Sequence, residues 1–135
     1  MSERCNILIL THGNLGEAFV ETSKMFVPDR NEICALGLYP TMKVEDFKQQ
    51  VEAKLQEIGD NTVILTDIFG GSPANVAASL LAKKYYPVVT GLNLGMVIEG
   101  LLNNQNTKAD LAKIIENAGN ASIVDVNSKL KSKNR

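Results

Sequence analysis

The only histidine of the chain, His12, stands where a run of apolar residues ends, in the segment ILILTHG at residues 7–13. A second apolar run ends in the same way, and Asp67 follows it directly. A carboxylate that accepts one ring N–H of an imidazole fixes the tautomer and directs the lone pair of the other ring nitrogen outward. His12 and Asp67 are therefore candidates for a nucleophile and its orienting acid, if the fold brings them together.

The residues after the second run favour an anion-binding turn. Glycines in GGSP, residues 70–73, let the backbone approach a ligand closely, and Ser-Pro is typical of a helix start, with Ser72 as the cap. Free N–H groups and the dipole at a helix start favour phosphate. Asn93 is expected to open another helix and to direct further amides to the same hollow. Together, Gly71, Ser72 and Asn93 predict phosphoryl transfer onto His12.

Short β-branched runs alternate with amphipathic segments along the chain, which predicts βαβ units and a mostly parallel sheet. The predicted strands cover residues 5–10, 32–38, 62–66, 86–90 and 121–126. The predicted helices cover residues 15–25, 44–58, 73–84, 94–102 and 108–117. If the first and third strands are neighbours, their ends lie about 4.8 Å apart, and His12 can bond to Asp67.

Composition limits the possible functions. The 135 residues suit one domain, with 44% hydrophobic and 21% charged residues. A net charge of -1, with no tryptophan, disfavours nucleic-acid binding. Two cysteines without metal-ligand spacing, and no signal or membrane segment, favour a cytoplasmic protein with no metal site. We expect one domain over residues 1–127 and a polar tail over 128–135 that frays.

Rival motifs are incomplete. The stretch THGNLG lacks the full GxGxxG pattern, the second predicted strand ends in GLYP without the acidic residue of a dinucleotide site, and no Walker sequence occurs. Ser72, His12 and Asp67 have the residue types of a hydrolytic triad, but proline follows the serine and no GxSxG elbow is present. A serine hydrolase remains an alternative that these departures disfavour.

Three segments, ILILTHG, TDIFGGSPAN and TGLNLGMVIE, resemble the IIA component of the mannose/fructose/sorbose family of the bacterial phosphoenolpyruvate-dependent sugar phosphotransferase system. The resemblance implies a three-layer α/β/α sandwich with about four parallel strands and no cofactor. It also implies a homodimer that exchanges a C-terminal antiparallel strand. The stretch ASIVDV, residues 121–126, is similar to that strand, which alone would be an exposed apolar edge.

The resemblance also implies roles for the site residues. His12 would accept phosphate from HPr and donate it to a histidine of a IIB component, with the membrane IIC/IID permease as an indirect partner. IIB would be a separate protein, because the chain stops soon after the last predicted strand. Asp67 would orient the imidazole, and apolar surface at Phe69 and Met96 would dock the partners. The residues expected to hold the phosphoryl oxygens are Gly71, Ser72 and Asn93.

Two related functions stay open on the same scaffold. One is the phosphoryl donor subunit of a dihydroxyacetone kinase system, which shares the fold and its histidine. The GGSP turn disfavours this alternative. The other is a regulator or small-anion binding module that transfers nothing.

Overall fold

A computed structural model describes residues 3–133, which form four strands and six helices. The strands are all parallel, in the order β2-β1-β3-β4. They are β1 (Asn6–His12), β2 (Ile33–Leu38), β3 (Thr62–Thr66) and β4 (Val88–Val89). The helices are α1 (Leu15–Ser23), α2 (Val44–Ile58), α3 (Ser72–Leu80), α4 (Leu94–Leu102), α5 (Lys108–Ala121) and α6 (Val126–Lys133).

Two apolar clusters cover the two faces of the sheet. Ile7 and Ile9 of β1 face α1, α4 and α5 on one side, whereas Leu8 and Leu10 face α2 and α3 on the other. All four side chains are fully buried. A parallel strand covered on both faces is expected to be continuously apolar, as β1 is. The predicted three-layer sandwich with four parallel strands is therefore confirmed.

The strand order decides where the polar strand ends meet. β1 lies between β2 and β3, with Leu10 opposite Thr66 of β3 and His12 opposite Leu38 of β2. The predicted adjacency of the first and third strands is confirmed. β1 continues to His12, two residues beyond the predicted end, because it pairs with β2 as far as that residue.

Lys108, the first residue of α5, binds this helix to the loops that precede β3 and β4. Its ammonium group donates to the main-chain oxygens of Asp60 and Tyr85, each at 2.8 Å. The same group lies over the rings of Tyr85 and Tyr86, 5.3 and 5.4 Å from their centroids. We call this set the Lys108 clamp. It connects α5 to the chain on either side of β3 and α3.

The predicted strand over residues 121–126 is wrong for the single chain. Ala121 is the last residue of α5, residues 123–125 have no regular structure, and α6 begins at Val126. The buried stripe of α5 continues through Ile115 to Gly119, so its helical period extends past the predicted end at residue 117. An isolated strand also needs an edge with which to pair.

Most of the predicted C-terminal tail lies in α6 over the described residues, and its fraying stays a prediction. The Asp125 carboxylate accepts from the main-chain N–H and the hydroxyl of Ser128, at 3.3 and 2.9 Å, which stabilises the first turn of α6. Residues 134 and 135 of the predicted tail lie outside the described residues, and the domain limit at residue 127 stays a prediction. No helix within residues 3–133 combines the length and the apolar character needed to cross a membrane.

Candidate functional site

His12 and Asp67 are in direct contact at the carboxyl ends of β1 and β3. The Asp67 Oδ2 atom lies 2.8 Å from Nδ1 of the His12 ring and accepts the main-chain N–H of His12 at 2.9 Å. The predicted hydrogen bond between these side chains is confirmed. With Nδ1–H donating to Asp67, the other ring nitrogen, Nε2, keeps its lone pair free. The His12 side chain is 52% exposed, so another molecule can reach the ring.

The Asp67 carboxylate is held as an anion. Burial raises its pKa, but hydrogen bonds from the His12 main chain and ring, and from the Ile68 N–H at 3.0 Å, outweigh this effect and hold the pKa below its usual value of 3.8. A carboxylate beside Nδ1 stabilises the positive charge that an imidazole gains when Nε2 is substituted. The pair can therefore act as an oriented nucleophile.

Gly71 lies against the imidazole. A Cβ atom at this position would stand 2.9 Å from Cε1 of His12 and 3.0 Å from Cγ2 of Ile68. The neighbouring Gly70 has a φ of +85°, a conformation that other residues rarely adopt. The two glycines thus meet different demands, close approach at Gly71 and a left-handed turn at Gly70. The Gly71 N–H itself donates to the Ile68 oxygen at 3.3 Å.

The predicted capping role of Ser72 is wrong. Gly71 occupies the N-cap of α3, no side chain caps the helix, and Ser72 is its first residue. The helix starts one residue earlier than predicted, because the extended backbone of Gly71 ends the turn. Among the described residues the Ser72 hydroxyl has no assigned hydrogen bond, so it is free to bind an anion together with the main-chain N–H of Ser72.

Asn93 caps α4 as predicted. Its side-chain oxygen accepts from the Met96 N–H at 3.0 Å, and its amide donates to the Gly119 oxygen of α5 at 3.2 Å. Because both ends of the side chain are engaged, Asn93 positions the start of α4. Within residues 3–133, the N–H groups of Leu94 and Gly95 have no hydrogen-bond acceptor and can bind a ligand there. The loop before it is held at the end of β3 by a 3.1 Å bond from Leu92 N–H to the Thr66 oxygen.

The structure does not bring every predicted residue into one contact set. His12 bonds to Asp67, and Gly71 lies against the His12 ring. Asn93 lines a groove with Phe69 and Gly70 on the β4 side of the turn, and no hydrogen bond joins it to His12 within residues 3–133. These residues contain no group of three or more His, Cys, Asp or Glu side chains that could hold a metal ion.

Of the two residues predicted to form an apolar docking surface, only one is exposed, and its role in docking stays a prediction. Phe69 is 85% exposed beside the site, whereas Met96 is 2% exposed and lies in the core. Met96 faces inward because it continues the buried stripe of α4 with Val97 and Gly100. Other apolar side chains near the strand ends are exposed, namely Leu15, Tyr39 and Ile68.

A contribution from β2 was missed by the sequence reasoning. The Gly13 N–H, next to His12, donates to the Leu38 oxygen at 2.8 Å. The available signal was Gly37, a glycine within an apolar strand, which often marks close approach of another backbone.

These features define a class of protein, a small parallel α/β sandwich with a carboxylate-paired histidine at the central strand ends. The chain belongs to the mannose/fructose/sorbose family of phosphotransferase-system EIIA components: the family model described as "PTS system fructose IIA component" matches residues 6–118. The resemblance seen in the three motifs is confirmed.

Individual relatives agree with this assignment. The mannose-specific EIIAB component of Escherichia coli strain K12 is 30% identical over 100 residues, which cover 71% of this chain and 31% of that protein. The chain therefore spans about a third of the length of that relative.

Solved structures show the same fold. The PTS IIA protein associated with the fucose utilization operon of Streptococcus pneumoniae is 31% identical, with a TM-score of 0.82 and coverage of 96% of this chain and 98% of that one. EIIA of Streptococcus agalactiae is 23% identical, with a TM-score of 0.86 and coverage of 92% and 98%, a likeness of fold alone.

Proposed function

We propose that this chain is a cytoplasmic phosphoryl carrier of sugar uptake, which accepts phosphate from HPr on Nε2 of His12 and donates it to a histidine of a IIB protein. The observation that carries the proposal is the 2.8 Å bond from Nδ1 to Asp67, which leaves Nε2 free on a half-exposed ring. Membership of the EIIA family supports the same reaction. Through IIB, the chain would serve the membrane IIC/IID permease.

The reaction is a substitution at phosphorus. The Nε2 lone pair forms a bond to phosphorus while the bond between phosphorus and the donor protein breaks, and the donor leaves with that electron pair. The proton on Nδ1 stays on the ring, where Asp67 stabilises the positive charge. The hydroxyl and N–H of Ser72, next to the space left by Gly71, hold the phosphoryl oxygens, and transfer to IIB reverses the same steps.

The test is phosphorylation with labelled phosphoenolpyruvate, enzyme I and HPr. The expected product is an acid-labile, base-stable label on one residue, and His12 is the only histidine that can carry it. His12→Ala should accept no label, whereas Lys83→Ala, a variant of an exposed residue beyond the C-terminal end of α3, should label as wild type does. Labelling of His12→Ala, or no labelling of wild type, contradicts the proposal.

A second step separates a carrier from the alternatives. Adding an unlabelled IIB protein should remove the label from His12 within seconds, because the carrier must return to its free state in each cycle. A binding module would never gain the label. The phosphoryl donor of a dihydroxyacetone kinase system would keep it until its own kinase subunit is added.

We also propose that residues 121–126 form an antiparallel strand on the β4 edge of a second copy, giving a homodimer. Within residues 3–133, β4 pairs with β3 alone. A groove of about 820 Å³ follows the open edge of β4 between α3 and α5. Ile123 lines this groove and is 82% exposed. An open apolar edge next to an exposed apolar segment favours pairing.

Light scattering on the full chain tests the dimer. Wild type should have the mass of two chains, and Ile123→Asp should shift the mass to one chain, because it places a charge inside the paired strand. Leu130→Asp alters an exposed apolar residue of α6 outside the proposed strand and is the matched control. A single-chain mass for wild type contradicts the proposal.

A further inference from the structure

β2 forms the wall of the His12 site opposite Asp67. In the register of the sheet, Thr11 lies opposite Gly37, and His12 lies opposite Leu38. The Leu38 oxygen accepts the N–H of Gly13 at 2.8 Å. His12 is therefore held on one side through its own N–H by Asp67, and on the other through the N–H of the next residue.

Gly37 leaves the space that this arrangement needs. A Cβ atom at position 37 would lie 2.0 Å from the Gly13 oxygen and 3.0 Å from the Gly13 carbonyl carbon. Both atoms belong to the backbone, so no side-chain rotation can relieve the contact. The ring of Tyr39 closes the space on another side, with its Cε2 at 3.2 Å. An added methyl group would have to displace the turn after His12 by about 1 Å.

The turn after His12 has little freedom to absorb such a shift. Gly13 has a φ of +56°, and α1 begins two residues later, at Leu15. The first turn of α1 is fixed to β1 by the Gly16 N–H, which donates to the buried Thr11 hydroxyl at 2.8 Å. Displacement of the Gly13 carbonyl would therefore be passed to the backbone of the preceding residue, His12, which carries the imidazole.

We propose that Gly37 is a positioning residue for phosphoryl transfer. Because Gly37 has no side chain, the Gly13 carbonyl can lie against it, and this placement of the turn fixes the direction of Nε2 of His12. The inference rests on the proposed function of His12, to which it adds a residue on a different strand. Displacements of about 1 Å at reacting groups can reduce rates by about a hundredfold, so the size of the enforced shift sets the expected effect.

The experiment compares Gly37→Ala with Gly59→Ala in transfer from phosphorylated HPr. Gly59 has a φ of +97° at the end of α2, and no atom lies within 4 Å of an added Cβ. Gly59→Ala therefore strains the backbone without touching the site, and it should keep the wild-type rate. Gly37→Ala should lower kcat by about 10-fold to 100-fold with KM for HPr little changed. A kcat within threefold of wild type overturns the inference.

A second readout does not depend on transfer. NMR of the His12 ring nitrogens in unphosphorylated protein should show a weakened Nδ1 hydrogen bond in Gly37→Ala and an unchanged one in Gly59→Ala. If wild type accepts no phosphate, the proposed function fails, and this measurement still decides the positioning role. Ring signals identical to wild type in Gly37→Ala would overturn it.

If Gly37→Ala does not fold, hydrogen exchange in the wild-type protein tests the inference instead. Its Gly13 amide should be protected from hydrogen exchange at the level of the neighbouring β1 amides, because it donates to Leu38 and is packed against Gly37. Exchange of the Gly13 amide at the rate of an exposed loop would overturn the inference.

Discussion

Asp67→Asn tests what the carboxylate does for His12. The Oδ2 position receives two N–H donors, from the main chain and the ring of His12, whereas the Oδ1 position receives one, from Ile68. We expect the single oxygen of asparagine to occupy the Oδ2 position, because more donors point to it. The ring then keeps its proton on Nδ1 and its lone pair on Nε2, but it loses the neighbouring negative charge.

The loss in rate follows from that charge. A hydrogen bond to a charged group contributes about 1.5–3 kcal/mol, compared with about 0.5–1.5 kcal/mol for a neutral pair. The difference, about 1–2 kcal/mol, is felt most when the imidazole becomes positively charged on phosphorylation. Since about 1.4 kcal/mol corresponds to a tenfold change in rate, transfer onto His12 should slow by roughly 5-fold to 30-fold.

Rapid-quench measurement of transfer from phosphorylated HPr gives this rate directly. Asp125→Asn is the matched control, because the Asp125 carboxylate also accepts two hydrogen bonds, both from Ser128, but lies directly before α6. The control should transfer at the wild-type rate. A loss greater than about a thousandfold in Asp67→Asn would show that the tautomer has inverted, and an unchanged rate would show that the charge contributes nothing. Either result refutes the reasoning.

Three further outcomes are expected. Gly71→Ala places a methyl group 2.9 Å from Cε1 of His12, so it should turn the ring and slow labelling without unfolding the protein, as circular dichroism and the labelling assay would show. Lys108→Met removes the charged donor of the Lys108 clamp and should lower the free energy of unfolding in urea by roughly 1–3 kcal/mol, with labelling unchanged. The pKa of Asp67 is lower in the folded state than its usual value of 3.8, so the ionised carboxylate stabilises the folded state above pH 3.8. This contribution is lost as the pH falls through the pKa of the folded state. The difference in unfolding free energy between wild type and Asp67→Asn should therefore shrink below pH 3.8.

The pairing of His12 with Asp67 could be predicted because it depends on a general rule. Parallel neighbours bring their carboxyl ends to one edge of a sheet, so two polar residues at such ends meet if the strand order is right. The role of Gly37 could not be predicted in the same way. Its effect depends on a single close approach between two backbones, and a glycine within an apolar strand does not indicate which backbone approaches it.

A helix whose apolar residues repeat at regular helical spacing was predicted with correct bounds. An element whose bounds depend on pairing or packing with other elements was not. α2 has the predicted bounds, because its buried residues Phe47, Val51 and Leu55 follow a strict helical spacing. β4 contains two residues rather than five, because only Val88 and Val89 find partners in β3. The burial of Met96 depends on how α4 packs against α5, which local sequence does not specify.

One atom of Asp67 serves both the backbone and the ring of His12, and this has a consequence for the protein during synthesis. The shared acceptor exists only after β1 and β3 have paired, so a nascent or partly denatured chain lacks an aimed imidazole. If His12 accepts phosphate as proposed, such chains should be poor phosphate acceptors. The reactivity of His12 would then depend on whether β1 and β3 have paired.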